Sequence, residues 1–428
     1  LVRTRAEPQA DGSYRIFGTK IFITYGEHDM ARNIVHLVLA RVVGAPEGIK
    51  GISLFLVPKF LPDAQGEPGA RNDVHCVSIE HKLGIKASPT AVLQFGDGIA
   101  GGPAGAVGYL VGQENRGLEY MFIMMNAARY AVGVQGIAVA ERAYQQAAAY
   151  ARDRVQSRPV DGSLPGSAPI IHHPDVRRML MTMRALTEGC RAMATVAAAA
   201  YDAAHHHPDA DARRQNNAFY EFLVPLVKGY STEMSLEVTS LGVQVHGGMG
   251  FIEETGAAQH YRDARILPIY EGTTAIQAND LVGRKTARDG GQVARAIAGQ
   301  VEQTEAALAA SGTDAARAMQ RRLSAARQAF LDVVDFVTAQ SKSAPNAVYA
   351  GSVPYLMLAG NLVAGWQMAR ALLVAQELEQ RGEDVAFMQA KIATARFYAD
   401  HILARVPAVR DSIVEGADSV TALPVEAF

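Results

Sequence analysis

The stretch that decides the fold is "VRRMLMTMRALTEGCRAMATVA", residues 176–197. Its apolar residues recur every three or four positions without a break, at Val176, Leu180, Met183, Leu186, Cys190, Met193 and Ala197. Because an α-helix has about 3.6 residues per turn, this spacing places them on one face. The stretch therefore predicts a long helix with one buried face, and the apolar stripe is typical of a protein core.

Further helical stripes lie on either side of this one. One covers about residues 118–158, another runs from about 219 toward 241, and a shorter helical segment follows Glu271. Amphipathic helices of this kind bury their apolar faces against each other. We therefore predict a four-helix bundle, with the bundle domain occupying residues 111–288.

The first part of the chain, residues 1–110, has a different pattern. Segments such as "SYRIFGTKIFITYG" (13–26) and "NIVHLVLARVV" (33–43) are rich in β-branched and aromatic residues and are bounded by turn residues. No helical crossovers separate them, which argues against parallel pairing. We predict a small antiparallel β-barrel or sandwich. Its opening residues read like the interior of a β domain, so we expect a preceding N-terminal region to be missing.

The last part, residues 289–428, is alanine-rich at first and then helical. It contains no motif to which chemistry can be assigned, and it predicts an additional C-terminal helical domain. The whole chain is thus predicted to be α+β, with a β domain, a helical bundle and an extra helical domain in that order.

Composition limits the possible functions. The chain has 428 residues, 49% of them hydrophobic and 20% charged, with a formal net charge of −2. This charge gives no argument for binding nucleic acid or an anionic membrane. Cys76 and Cys190 are far apart and lack CxxC spacing, which favours a reducing compartment, so we expect a cytoplasmic protein. The nearest approach to a membrane span, "VPYLMLAGNLVAGW" (353–366), is too short, and we expect no integral membrane segment.

A single carboxylate in "HYRDARILPIYEGTTAIQ" (260–277) is the first candidate for chemistry. Glu271 follows an apolar stretch and precedes Thr273 and Thr274, either of which is a suitable cap for a following helix. An apolar cleft would make this carboxylate a base for a weakly acidic C–H proton. The alternative is a first-turn glutamate that complements the helix dipole, and position alone favours that alternative.

Two other motifs fit a planar, phosphate-bearing cofactor. In "QVHGGMGF" (244–251), adjacent glycines let backbone N–H groups approach a phosphate or a ring closely. In "GTKIFITYG" (18–26), alternation places Phe22 and Thr24 on one strand face. The alternatives are a glycine turn that ends the third helix and a β-domain core residue beside an exposed threonine.

Several polar residues have ordinary explanations. Arg154 lies near the end of the first long helix, where a cation balances the dipole. Arg129 lies within that helix among apolar neighbours and fits a snorkelling surface residue. The run "HHHPDAD" (205–211) does not bring its side chains to one point, so we predict no metal site.

Five motifs together resemble the acyl-CoA dehydrogenase family of flavoenzymes. In the family's order, across residues 1–285, they are "GTKIFIT", "VGQENRGLEYMF" with a following "AAR", "YARDRVQ", "QVHGGMGF" and "YRDARILPIYEGT". The C-terminal addition is similar to that of the longer bacterial branch of the family.

The resemblance implies roles for individual residues. Glu271 matches the catalytic base, which overrides the expectation from position alone. The positions that match FAD contacts are Phe22, Ile23 and Thr24 beside the isoalloxazine ring, Arg154, Gln156, Gln244, Gly247 and Gly248 toward the FAD of a neighbouring subunit, and Thr273. Arg129 matches an arginine near the substrate thioester, and Gly272 matches a residue beside the acyl group.

The resemblance also implies the activity. We expect FAD-dependent α,β-dehydrogenation of an acyl-CoA thioester to the trans-2-enoyl-CoA, with electrons passed to an electron-transferring flavoprotein and the chain assembled as a homo-oligomer, either a dimer or a dimer of dimers. One alternative is an acyl-CoA oxidase or related flavin oxidase that uses oxygen. Another is a non-catalytic relative that serves as a scaffold.

Overall fold

The computed structural model describes residues 2–99 and 101–428. The chain divides into two compact units, residues 1–127 and residues 128–428. The first unit consists mainly of strands and the second of helices.

Short, mostly antiparallel strands form the first unit. In its described part they are β1 (Arg5–Pro8), β2 (Tyr14–Thr24), β3 (Val35–Val42), β4 (Ile52–Pro58), β5 (Phe60–Pro62), β6 (Pro68–Arg71), β7 (Val74–Ile79), β8 (Thr90–Phe95) and β9 (Ala106–Leu110). The main sheet has the order β1-β3-β4-β9-β2-β8-β7, and β5 and β6 form a separate hairpin.

Strand β1 closes this sheet into a barrel. It pairs antiparallel with β2, from Arg5 opposite Phe17 to Pro8 opposite Tyr14, and also pairs parallel with β3. The strands β1, β3, β4, β9 and β2 therefore form a closed ring, and β8 and β7 continue the sheet from β2. The strands of this sheet share a small apolar core that includes Ile16, Phe55 and Phe95. The predicted β-barrel is confirmed, with the β1–β3 pairing as a local parallel exception.

The C-terminal half of β2 is irregular. Its pairing with β8 shifts between Lys20 and Ile23, as expected for a β-bulge. Phe22 has a φ of 60° there, in the left-handed region. The regular alternation predicted for residues 21–24 is therefore interrupted, because the bulge inserts an extra residue into one strand.

Helices form the described part of the second unit, which α1 enters from the first unit. Their bounds are α1 (Gly117–Asp153), α2 (Pro174–His206), α3 (Ala210–Pro225), α4 (Ser231–His246), α5 (Gly248–Phe251), α6 (Ala257–Ala264), α7 (Thr274–Val282), α8 (Gln292–Ser311), α9 (Asp314–Gln340), α10 (Pro345–Ala350), α11 (Ser352–Gln380), α12 (Val385–His401), α13 (Val406–Val414) and α14 (Ala417–Val420). Two segments, Leu226–Tyr230 and Gly283–Ala287, are π-helical.

The predicted helical stripes match this architecture. In α2, Leu180, Met183, Leu186, Cys190 and Met193 are all buried, as their spacing predicts. The third predicted stripe is divided into α3, the π-helical segment Leu226–Tyr230 and α4. The prediction of a helical bundle preceded by a β domain is confirmed.

The C-terminal helices share one apolar core with the bundle. The core cluster runs from Ile137 to Ile413 without separating into two parts. Phe222 of α3 meets Phe330 of α9 edge to face, with ring centroids 6.5 Å apart. The Tyr230 hydroxyl donates a hydrogen bond to Asn361 Oδ1 at 2.8 Å. The additional C-terminal helices therefore complete the core of the second unit.

Helix α1 bears on the expectation that no segment spans a membrane. By length and composition alone, this helix is long and apolar enough to cross a bilayer. Core helices of soluble proteins meet the same criterion, so α1 is weak evidence for a membrane span.

The contact between Gly360 and Tyr230 gives a test of this packing. A Cβ added at Gly360, on α11, would lie 2.3 Å from the Tyr230 ring, whereas one added at Gly299, on α8, would meet nothing within 4 Å. Gly360→Ala is expected to lower the free energy of unfolding by about 1–3 kcal/mol through overpacking. Gly299→Ala, the matched control, is expected to be neutral or to stabilise by up to about 1 kcal/mol. Urea denaturation measures both, and equal effects would contradict the proposed contact.

Candidate active site

A strained loop carries Glu271. It lies between α6 and α7 and is folded back on itself, with Tyr270 N donating to Ile266 O at 3.0 Å and Thr274 N to Pro268 O at 2.9 Å. Glu271 has a φ of 55° and Gly272 a φ of 87°. A left-handed conformation is uncommon for a glutamate, and such strain persists only where the surroundings hold it. The surrounding structure therefore holds the loop in this conformation.

The two threonines after this loop have separate roles. Thr273 is the N-cap of α7, and its hydroxyl accepts a hydrogen bond from Ile276 N at 3.3 Å. Thr274 is buried and donates to Glu233 Oε1 of α4 at 2.5 Å. Of the two caps that the sequence allowed, Thr273 is the one observed. Thr274 instead joins the start of α7 to α4.

Arg129 is buried close to the Glu271 carboxylate. Its relative exposure is 3%, so the interpretation as a snorkelling surface residue is wrong. Its Nη1 lies 3.5 Å from Asp280 Oδ2 of α7. Burial lowers the pKa of the Arg129 guanidinium, while the carboxylates of Asp280 and Glu271 oppose that shift. Arg129 thus supplies positive charge to the interior beside Glu271.

A second buried cation, which was not singled out in the sequence, contacts the loop directly. Lys228 is 0% exposed and donates from Nζ to the carbonyl oxygen of Gly272 at 2.7 Å. Burial lowers its pKa to about 8, against the opposing effect of the Glu233 and Glu271 carboxylates. The signal in the sequence was a single lysine in the otherwise uncharged run "FLVPLVKGYST", residues 222–232.

Gln277, also missed, contacts the same loop from α7. It is 0% exposed, and its Nε2 lies 3.3 Å from Gly272 O and 3.4 Å from Glu271 O. A Cβ added at Gly272 would lie 2.8 Å from that Nε2, so the close approach of the amide requires glycine. The neighbouring Tyr270 hydroxyl donates to Gln135 Oε1 of α1. The loop is thus held from both α1 and α7.

A second group of predicted residues lies where α1 and α4 end. Arg154 and Gln156 follow α1 and are exposed. Gln244 of α4 and the following Gly247 and Gly248 are exposed as well. The rings of Tyr150 on α1 and His246 on α4 stack with centroids 4.3 Å apart, which brings the two helix ends together.

The glycine turn after α4 is open to its surroundings. Gly247 ends α4 with a φ of 59°, so the alternative interpretation as a helix-ending turn describes its local structure correctly. A Cβ added at Gly247 or Gly248 would meet nothing within 4 Å. Phe251, a few residues later, is 86% exposed. The turn therefore presents backbone and apolar surface to which a flat group has access.

The predicted flavin-contacting residues of β2 belong to the first unit. Phe22 is 68% exposed, so the alternative that it fills the core of the β domain is wrong. Ile23 is half-buried and Thr24 is exposed. The bulge thus leaves an aromatic ring and a hydroxyl accessible on the same short segment.

Within residues 2–99 and 101–428, no group of three or more His, Cys, Asp or Glu side chains is arranged to hold an ion. Cys76 and Cys190 are unpaired, and burial raises the pKa of the Cys190 thiol to about 12. Such a thiol is a core residue and not a nucleophile.

Known proteins resemble this chain over most of its length. Residues 115–286 match the family described as acyl-CoA dehydrogenase, C-terminal domain, and residues 296–424 match that described as acetyl-CoA dehydrogenase C-terminal like. The 3-methylmercaptopropionyl-CoA dehydrogenase of Ruegeria pomeroyi is 58% identical over 98% of this chain and 70% of its own length. The broad-specificity linear acyl-CoA dehydrogenase FadE5 of Mycobacterium tuberculosis is 38% identical over the whole chain and 71% of its own length.

A solved structure shows the same fold at lower identity. The acyl-CoA dehydrogenase of Bacillus anthracis, determined in complex with FAD, superposes with a TM-score of 0.75 at 22% identity. The match covers 97% of this chain and 66% of that structure. The predictions of the fold, of an oxidoreductase and of the family are confirmed: the chain belongs to the acyl-CoA dehydrogenase family.

Proposed function

We propose that this chain catalyses the FAD-dependent α,β-dehydrogenation of an acyl-CoA thioester, with Glu271 as the base. The observation that carries the proposal is the position of Glu271, in a left-handed loop beside the buried cations Arg129 and Lys228. An ordinary helix-start glutamate needs neither the strained backbone nor the buried charges. The match to relatives that are named as acyl-CoA dehydrogenases supports the same reaction.

Proton abstraction is the step that this chain's own residues perform. The Glu271 carboxylate accepts the proton from the carbon next to the thioester, which is only weakly acidic. The buried cations Arg129 and Lys228 lie beside the loop, and they would favour the negative charge that the thioester gains when this proton leaves. The carboxylate itself is exposed in this chain, so a substrate has access to it.

Hydrogen bonding to the thioester carbonyl must accompany the loss of the proton, since negative charge develops on that oxygen. In the described part of the chain, the backbone N–H of Glu271 has no acceptor. It is therefore free to donate to the thioester oxygen. The base and one oxyanion donor then belong to the same residue. The conformation of the loop therefore positions both groups.

The residues present fit an FAD cofactor. The exposed Phe22 and Thr24 offer an aromatic face and a hydroxyl, and the open turn at Gly247 and Gly248 leaves space for a phosphate or ring. By the family resemblance, Phe22, Ile23 and Thr24 of the first unit, and Arg154, Gln156, Gln244, Gly247, Gly248 and Thr273 of the second, are the residues that would hold FAD. When bound, FAD supplies the acceptor for the electrons and hydrogen that leave the β carbon.

The partners follow from the family resemblance. We propose an electron-transferring flavoprotein as the electron acceptor and a homo-oligomer as the active assembly, because in the family several of these positions reach the FAD of a neighbouring subunit. The exposed Phe251 beside the glycine turn is suited to an interface. A cytoplasmic location remains part of the same proposal.

Replacing the base tests the proposed function. Glu271→Gln should retain FAD but lose the bleaching of flavin absorbance when acyl-CoA is added without oxygen, because the amide cannot take the proton. The rate is expected to fall by at least about 10³-fold. Glu254→Gln, at an exposed position of the short 3₁₀-helix Glu253–Thr255, is the control and should bleach normally. Normal bleaching in Glu271→Gln would refute the assignment.

The substrate is tested with a panel of acyl-CoA thioesters. Because the 58% identical relative is named for 3-methylmercaptopropionyl-CoA, we expect that substrate to give the highest kcat/KM, ahead of straight-chain thioesters of similar length. Flavin reduction by none of the panel would instead favour a non-catalytic relative.

The electron acceptor needs its own assay. With electron-transferring flavoprotein and oxygen both present, reduction of the flavoprotein should account for substrate turnover. Hydrogen peroxide formed at the rate of turnover would show that the chain is an oxidase.

A further inference from the structure

We propose that Lys228 is a positioning residue for the catalytic base: with Gln277, it holds the backbone at Glu271 and Gly272 in the conformation that aims the Glu271 carboxylate and N–H. The inference rests on the proposed function, since it assigns a role to the loop of the proposed base. Lys228 does not touch the substrate in this role, and it acts through the Gly272 carbonyl.

The bonding of Lys228 is unusual for a lysine. Its side chain has no ion pair within the described residues, and its Nζ donates only to the carbonyl of Gly272, at 2.7 Å. A fully buried ammonium without a paired carboxylate is costly, because the charge loses its hydration. A hydrophobic residue would fill the same core position without that cost. The hydrogen bond to the loop is the feature that distinguishes lysine from such a residue.

The local backbone brings Lys228 to this loop. The helix is π-helical from Leu226 to Tyr230, between α3 and α4. A π-helical insertion rotates the following side chains relative to a regular α-helix, and such insertions are frequent at functional sites. Gly229, the next residue, packs against Leu356, where an added Cβ would lie 2.9 Å from the leucine side chain. Core packing therefore fixes the π-helical segment and the backbone position from which the Lys228 side chain extends.

Gln277 of α7 contacts the same backbone. Its Nε2 lies within 3.4 Å of both the Glu271 and the Gly272 carbonyl oxygens. Its Oε1 is buried and has no hydrogen-bond partner among the described residues. The side-chain amide therefore leaves its own oxygen without a hydrogen bond in the core, while its Nε2 donates to the loop. Two buried donors from two helical segments thus converge on adjacent carbonyl groups.

These contacts matter because the loop is strained. At Glu271 the left-handed φ of 55° is unfavourable for a residue with a side chain, and without its buried donors the loop would relax toward φ < 0. A relaxed loop would move both the carboxylate and the N–H of Glu271. Since a misplacement of about 1 Å can cost about 10²-fold in rate, we expect the loss of Lys228 to lower kcat by roughly 10- to 100-fold.

Titration of Lys228 gives an independent measure of its burial. Burial and the charge of Arg129 on α1 lower the pKa of Lys228, and burial outweighs the opposing carboxylates of Glu233 on α4 and Glu271 on the loop. Because the pKa in the folded protein, about 8, is below the ordinary value of 10.5, the unfolded chain holds the proton more strongly. Between these pH values the folded state becomes more stable as pH rises. The melting temperature of the wild type minus that of Lys228→Met should therefore increase from pH 8 to pH 10.

The main test compares two lysine variants. Lys228→Met keeps the length of the side chain and removes the donor. Lys285→Met is the matched control, because Lys285 lies in the other π-helical segment, is partly buried and pairs with Glu221 at 2.8 Å without contacting the loop. For both we would measure FAD content, melting temperature, kcat and KM per bound FAD, and the isotope effect on kcat with an α-deuterated acyl-CoA.

The expected result separates positioning from stability. Lys228→Met should bind FAD and lose 10- to 100-fold in kcat with KM changed less than about threefold, and its α-deuterium isotope effect should equal or exceed that of the wild type. Lys285→Met should lower only the melting temperature. A kcat per bound FAD within twofold of Lys285→Met would overturn the inference, because a lysine that only stabilises the fold reduces the amount of active protein and not its rate.

A second variant covers the case in which Lys228→Met does not fold. Gln277→Leu removes the other donor at similar volume, and it should lower kcat by a smaller factor, about 3- to 30-fold, with the same isotope signature. An unchanged kcat in Gln277→Leu would overturn the shared role. If Glu271→Gln proves fully active, the proposed function itself fails, whereas an inactive Glu271→Gln beside a fully active Lys228→Met refutes only the positioning role.

Discussion

The hydrogen bond from the buried Lys228 ammonium to the Gly272 carbonyl is the interaction on which the candidate site depends. It joins the π-helical segment between α3 and α4 to the loop before α7, and it acts on a backbone that is already left-handed at Glu271. A surface loop would relax such a backbone, and water would replace the contact. Here the apolar core excludes water from Lys228, so the hydrogen bond is strengthened and the strained conformation persists. The packing that buries Lys228 therefore also maintains the backbone conformation at Glu271.

Much of the fold could be predicted because periodicity reports burial directly. The stripe from Val176 to Ala197 and the strands of residues 13–43 appear in the structure as predicted. Periodicity could not predict the π-helical segment Leu226–Tyr230 or the bulge at Phe22, since each changes the register by about one residue and is decided by tertiary packing. The first irregularity carries Lys228, and the second lies at Phe22, which the family resemblance matches to a flavin contact.

The candidate site was only partly visible in the sequence. Glu271 was identified because its motif stands in a known order with four others, whereas its position alone favoured an ordinary helix-start residue. Lys228 and Gln277 were missed because their roles depend on which backbone carbonyl groups their side chains reach. Lys228 bonds a carbonyl 44 residues away in the sequence, and Gln277 bonds carbonyls five and six residues away. Arg129 was predicted to be a snorkelling surface residue because its neighbours in the sequence are apolar. Apolar neighbours are equally typical of a buried residue, which Arg129 is.

The contact of Tyr230 with the C-terminal helices has a consequence for how the second unit unfolds. Tyr230 immediately follows Lys228 and Gly229 in the π-helical segment, and its hydroxyl meets Asn361 of α11 and the Tyr398 hydroxyl of α12 at 2.8 and 3.1 Å. Helices α11 and α12 cannot detach without leaving these buried hydroxyl groups unpaired, which links their loss to disruption of the segment that carries Lys228. The second unit should therefore melt in a single cooperative transition, and the geometry of the base should disappear at the same temperature as the distant C-terminal helices.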